Sequence, residues 1–138
     1  MAGAGGESVV PDIDRFYRTL ARDAADAIIY VDAEGIIAFW NKAAERMFGF
    51  SEAAALGKTL DLIIPEKLRE RHGRCFSAAV RSGRTRHGAG NVLAAPAVRR
   101  DGARLSIEFT ILPFRDRAGA ILGIAATLRD VTRRFEKK

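Results

Sequence analysis

The 138-residue chain is 48% hydrophobic and 29% charged, a balance that suits one globular domain with a single buried core and excludes a disordered chain. Its formal net charge of +6 invites a nucleic-acid partner. The excess is concentrated between Glu66 and Arg86, however, where seven Lys and Arg stand against two Glu, and no helix-turn-helix or zinc-finger pattern accompanies it, so a solvated helix face is expected rather than direct nucleic-acid contact.

Apolar runs are only a few residues long, well short of the roughly 20 that a bilayer-spanning helix needs. Residues 1–11, "MAGAGGESVVP", read as a flexible N-terminus without the basic and apolar regions of an export signal. The lone Cys75 has no partner for an internal disulfide, so the expected home is a reducing cytoplasm.

Residues 12–25 read as a flanking amphipathic helix. Ile13, Phe16, Tyr17, Leu20 and Ala24 recur at helical spacing, with Arg15, Arg18 and Arg22 between them. Such a helix needs an apolar partner, either the domain's own sheet or a second subunit, and a homodimer through this helix is expected. A domain over residues 26–132 follows, with a tail at 133–138.

Within the domain, "AIIYVD" and "IIAFWN" are two β-rich runs joined at Gly35. "KAAERMFGF" predicts a short helix ending at Gly49, and Ser51 predicts the cap of a second, "EAAALG". Pro65 suits the first position of a longer helix that runs to Ser82-Gly83. Three extended segments complete the chain: "GNVLAAPAVRR", "ARLSIEFTILPF" and "AILGIAATLRDVT". Asp101-Gly102 and residues 116–119 supply their turns. In the middle segment Leu105, Ile107, Phe109 and Ile111 alternate with polar residues, the pattern of one buried face. The expected fold class is α+β: a five-stranded antiparallel sheet, with short helices and one longer helix covering one face.

The longer helix carries a histidine among charges, in "PEKLRERHGRCF". At steps of three and four, Leu68, His72, Cys75, Phe76, Ala79 and Val80 form one stripe, so His72 points with the apolar residues toward the sheet. The spacing leaves two roles open for His72, a hydrogen-bonded core residue or a ligand.

The stretch "DAIIYVDAEGIIAFWNKAAERMFGFSEAAALGKTL", with "RRDG" at 99–102 and "RDVT" at 129–132, resembles a PAS sensor domain. The resemblance implies the PAS fold, with a ligand cavity between sheet and helices, and a sensory or regulatory role without a catalytic constellation. "IIPEKLRERHGRCF" followed by "GRTRHGAGN" is similar to the haem-binding subset, the FixL kinases and Dos-type phosphodiesterases. It implies haem b with His72 as the iron ligand, and detection of a diatomic gas (oxygen, carbon monoxide or nitric oxide) or of redox state. Leu68, Cys75 and Phe76 would then line the porphyrin edge. Arg84, Arg86 and His87 would lie near the propionates, and Phe109 and Ile111 on the gas-binding side. The chain departs from the subset at Gly88-Ala89-Gly90-Asn91, where Asn91 stands in place of the oxygen-bonding arginine.

Cys75 lacks the Gly-x-Asn-Cys-Arg setting of a flavin-adduct light sensor. Non-covalent flavin remains an alternative, with Trp40 and Asn41 in a pocket; otherwise these are a core Trp and a helix-capping amide. A second alternative is a cofactor-free module for dimerisation and signal relay. With no kinase, cyclase or DNA-binding unit in the sequence, the output is expected to lie in a separate protein or another segment.

Overall fold

The structure, a computed structural model, describes residues 9–85 and 90–136. Arg86 and His87, and the loop residues Gly88 and Ala89 beside them, lie outside the described residues, as do positions 1–8 of the N-terminus.

Eleven elements follow one another: α1 (Ile13–Asp23), β1 (Ala27–Asp32), β2 (Ile37–Trp40), α2 (Lys42–Phe48), α3 (Glu52–Ala55), a 3-10 turn (Leu60–Leu62), α4 (Glu66–Ser82), β3 (Leu93–Val98), β4 (Arg104–Arg115), β5 (Ile121–Asp130) and α5 (Thr132–Glu136). The strands form one sheet in the order β2-β1-β5-β4-β3, and each neighbouring pair is antiparallel. Placing the last strand in the middle joins the two halves of the chain, because β5 pairs with β1 on one side and β4 on the other. Pro96, which cannot donate to a ladder, sits in β3 at the sheet edge, where the loss is tolerated.

The chemistry of each boundary residue explains its element. Asp12 accepts the Arg15 amide and caps α1, Ser51 accepts the Ala54 amide and caps α3, and Asn41 caps α2. Helix α4 ends at Gly83, whose φ of 74° is the left-handed conformation that a side chain would strain. Asp101 and Asp116 each hold their hairpin turn by accepting an amide two residues ahead. Three expected strands are shorter than their sequence segments, among them β5, which ends at Asp130. Strand β2 stops at Trp40 because the Asn41 side chain caps α2, and β3 begins only at Leu93.

The tightest packing lies under β1, β2 and α2. Trp40, Phe48, Ile29 and Ile37 are almost fully buried there, and the Trp40 indole donates to the Phe50 carbonyl. Asn41, only 1% exposed, is the one buried polar residue of this core among the described residues. Its oxygen accepts the amides of Ile28 and Ala44 at 2.9 and 3.0 Å. Its amide nitrogen donates to the carbonyls of Ala21 and Asp26 at 2.9 and 3.0 Å.

By contrast α4, the longest helix, has no fully buried residue. The stripe expected to seat it on the sheet faces the sheet without closing against it. Helix α1 also buries nothing: Phe16, Tyr17 and Leu20 remain 42, 60 and 57% exposed. Of the two partners expected for its apolar face, the domain's own sheet does not cover it.

An Asn41→Ala substitution takes the side-chain partner from two backbone donors and two carbonyl acceptors, that of Ala44 fully buried and the other three partly. Urea unfolding should show a loss of about 3 kcal/mol or more, since each unsatisfied buried group costs roughly 1–3 kcal/mol.

Candidate functional site

The gap between α4 and the sheet is a cavity of about 280 Å³. The inward residues of β4 and β5 form its floor, among them Phe109, Ile111, Ile124 and Ala126. Its roof is one flank of α4, with His72, Cys75, Phe76 and Ala79 at steps of three and four. The walls are almost entirely apolar, with His72 and Thr85 supplying the polar side chains. The volume lies just below the roughly 300–1,000 Å³ typical of small-molecule and cofactor sites.

His72 is half-buried, and no described residue hydrogen-bonds to its ring. Burial lowers its pKa below the ordinary 6.5, while the nearby Asp61 carboxylate pulls weakly the other way. The ring is therefore neutral at pH 7 and keeps a nitrogen lone pair available for an electron acceptor. Phe76, one turn along the helix, lies nearly parallel to it, with centroids 6.5 Å apart and planes inclined by 23°.

Of the residues singled out in the sequence, the fold brings His72, Cys75, Phe76, Phe109 and Ile111 to one cavity. Three others sit apart. Leu68, one turn before His72, is half-buried but off the cavity wall. Arg84 is exposed beyond the helix end, where its amide is held by the Ser82 hydroxyl. Asn91 is exposed two residues before β3 begins, so it contributes no polar group to the wall facing His72. Trp40 and Asn41 are not in the cavity either: the indole is bonded to Phe50 and all four hydrogen-bonding positions of the amide are taken within the core. Neither side chain offers a flavin its plane or its amide.

Sequence reasoning missed Thr85 and the β5 wall of Ile124, Ala126 and Leu128. The alternation in "ILGIAATL" carried that signal. Its small residues weakened the contrast between the two faces.

Among the described residues no cluster of three His, Cys, Asp or Glu could hold a bare metal ion, and no helix is long and apolar enough to cross a membrane. The cavity has room for a mostly apolar ligand beside one imidazole nitrogen. The residues present meet both requirements of a haem: apolar walls, and a neutral imidazole with a free edge.

A family model described as the PAS fold matches residues 15–131. The chain belongs to the PAS family. PAS domains are sensory and regulatory units of signal transduction, and the cavity beneath α4 is where the fold has room for a ligand. The sensor protein FixL of Bradyrhizobium diazoefficiens is 40% identical over 60 residues, covering 44% of this chain and 12% of that protein. An uncharacterized protein of Azorhizobium caulinodans is 29% identical over 139 residues, which cover all of this chain and 18% of its own length. The chain thus spans less than a fifth of either curated relative. Among solved structures, an RNA-binding light-oxygen-voltage receptor superposes with a TM-score of 0.77 at 23% identity, covering 99% of this chain and 39% of the other, a likeness of fold.

The depressed pKa of His72 sets a pH dependence. Unfolded, His72 takes up a proton near pH 6.5; folded, it does so only at lower pH, so stability falls as pH drops from 7 through 6.5. His72→Leu should flatten this part of the profile in urea titrations at pH 7 and pH 5.5.

Proposed function

We propose that this PAS domain is a haem b sensor of a diatomic gas or of redox state, with His72 as the iron ligand. One observation carries the reading: a single neutral imidazole without a hydrogen-bond partner among the described residues faces a cavity that is otherwise almost wholly apolar. A histidine kept only for packing would more often satisfy its ring nitrogens in the core, as Asn41 does with its amide. The likeness of "PEKLRERH" to the haem-binding subset, and the partial match to FixL, support the same assignment.

When bound, haem supplies an iron with one face open to a gas. His72 would hold the group through a ring nitrogen and, being neutral, would need no deprotonation to do so. Ala79 on the helix and Phe109, Ile111 and Ile124 on the sheet would offer it apolar walls, with Cys75 and Phe76 at its margin. Phe109, Ile111 and Ile124 offer a gas no hydrogen bond, so polar dioxygen gains less from this wall than from one bearing an arginine, and carbon monoxide and nitric oxide are favoured relative to it.

Movement of α4 has a short route outward. The Arg115 guanidinium, near the end of β4, donates to the carbonyls of Gly83, at the α4 cap, and Gly119, in the β4–β5 turn. Strand β5 then runs back through the middle of the sheet to α5. There the Thr132 hydroxyl accepts the Ser106 amide and donates to Asp130, while Arg134 pairs with Glu108. The receiver is a separate output protein or a further segment of a longer chain. A second copy of the chain covers the exposed apolar face of α1.

Reconstitution with haemin checks the ligand. The expected outcome is a strong absorption band near 400 nm that His72→Ala abolishes while its circular dichroism stays native, as loss of the proposed ligand requires. An identical spectrum from the variant refutes the assignment, and a yellow, blue-absorbing protein identifies a flavin instead. For the assembly, Phe16→Glu places a charge on the α1 face and should convert a dimer to monomer in sedimentation velocity, leaving the haem spectrum unchanged.

A further inference from the structure

Two hollows meet at the α4 wall. Beside the cavity lies a groove of about 180 Å³, bounded by the β1–β2 turn, the 3-10 turn and the next flank of α4. Its walls carry Glu34, Asp61, Arg69 and Ser77 beside apolar neighbours, so it is more polar than the cavity though still largely apolar. Val31, Leu60, His72 and Phe76 line both hollows, and the near-parallel rings of His72 and Phe76 are the part of the partition that α4 contributes.

That partition is held from one side, where Phe76 packs against the buried core. Both residues are half-buried, and the helix bearing them has no fully buried position to pin it. The Phe76 ring edge rests on the β1–β2 turn at Gly35, where a Cβ would stand 3.7 Å from it. On the helix itself Gly73, beside His72, has no atom within 4 Å of its Cβ position. A ring in such surroundings changes rotamer far more easily than one gripped on all sides, as Phe48 is. With the ring in place, the cavity alone lies below the usual cofactor range; with the ring withdrawn, cavity and groove become one space well inside it.

We propose that Phe76 is the size-determining residue of the ligand site. Its ring helps to separate an apolar chamber from a more polar one, and its withdrawal admits a flat ligand of three or more rings with a polar arm in the groove. Glu34 and Asp61 outnumber Arg69 there, and Arg69 already donates to the Ile64 carbonyl. The groove therefore favours an arm that donates hydrogen bonds over a carboxylate. The inference rests on the reading that the cavity is the ligand site, and it holds for whichever flat group fills it.

The test uses the full chain and two neutral probes, two-ring indole and three-ring 1-aminoanthracene, whose amine is a hydrogen-bond donor. Isothermal titration calorimetry on wild type, Phe76→Ala and Phe76→Trp reads their affinities. Phe76→Ala should bind 1-aminoanthracene about tenfold more tightly through the apolar area newly accommodated, and should gain no affinity for indole, which needs no added space. Phe76→Trp should weaken the larger probe alone. A residue that only stabilises the roof would, on truncation, weaken both probes, and that result overturns the proposal. Should Phe76→Ala lose its native circular dichroism, Phe76→Leu replaces it, with a smaller gain for the larger probe expected and no gain overturning the proposal. If haemin binds through His72 but probe affinities ignore position 76, the partition alone is refuted; if wild type binds neither haemin nor either probe, the cavity reading falls with it.

Discussion

The Asn41 side chain, itself almost fully buried, makes all four of the hydrogen bonds that a primary amide can make, each to a different backbone group. Those four bonds join the end of α1, the entry to β1 and the start of α2 at one point. Around it Trp40, Phe48, Ile29 and Ile37 close-pack, and β1 in turn sets the register of the central strand β5. A satisfied polar group in a low-dielectric core has far fewer alternative arrangements than an aliphatic one, so this half of the molecule is specified as well as stable.

The other half is built on the opposite terms. Helix α4 is tethered near its two ends: Arg69 reaches back to the Ile64 carbonyl, and Arg115 holds the Gly83 carbonyl at the cap. Between those tethers it floats over the aliphatic faces of β4 and β5 without burying a residue completely. Apolar surface left facing apolar surface across a gap forgoes dispersion contacts that a ligand can restore. Under the proposed function, the closely packed half would supply the frame against which a ligand shifts the other. A sensor needs both, because a signal is a difference between two arrangements of the same chain.

The site's electrostatics follow from this architecture. The charges concentrated in α4 lie on its solvent side: Arg71, Arg74 and Glu70 are exposed, and Arg74 pairs with Glu70. Such an exposed pair contributes little to stability. The inner flank keeps only His72, and burial holds it neutral. A strongly basic segment thus presents an uncharged nitrogen to the cavity, which is why the net charge of +6 gives no guide to what the cavity takes.

Much of the fold was legible because its signals are local. "AIIYVD" matches β1 residue for residue, the Asn41, Ser51 and Gly49 caps bound their helices as expected, and the strict alternation of Leu105, Ile107, Phe109 and Ile111 marks the inner face of β4. The helical spacing of His72, Cys75, Phe76 and Ala79 likewise placed them on one wall. Periodicity and capping depend on a few neighbours in the chain, so residue types alone determine them. Only the tertiary structure decided the rest: that α4 stands off the sheet and leaves a cavity, that Leu68 and Asn91 fall outside it, and that β5 and Thr85 complete it. Those outcomes depend on how far apart two elements settle and where a loop lets a strand begin. Distances of that kind are set by side chains remote in sequence, and no local pattern records them.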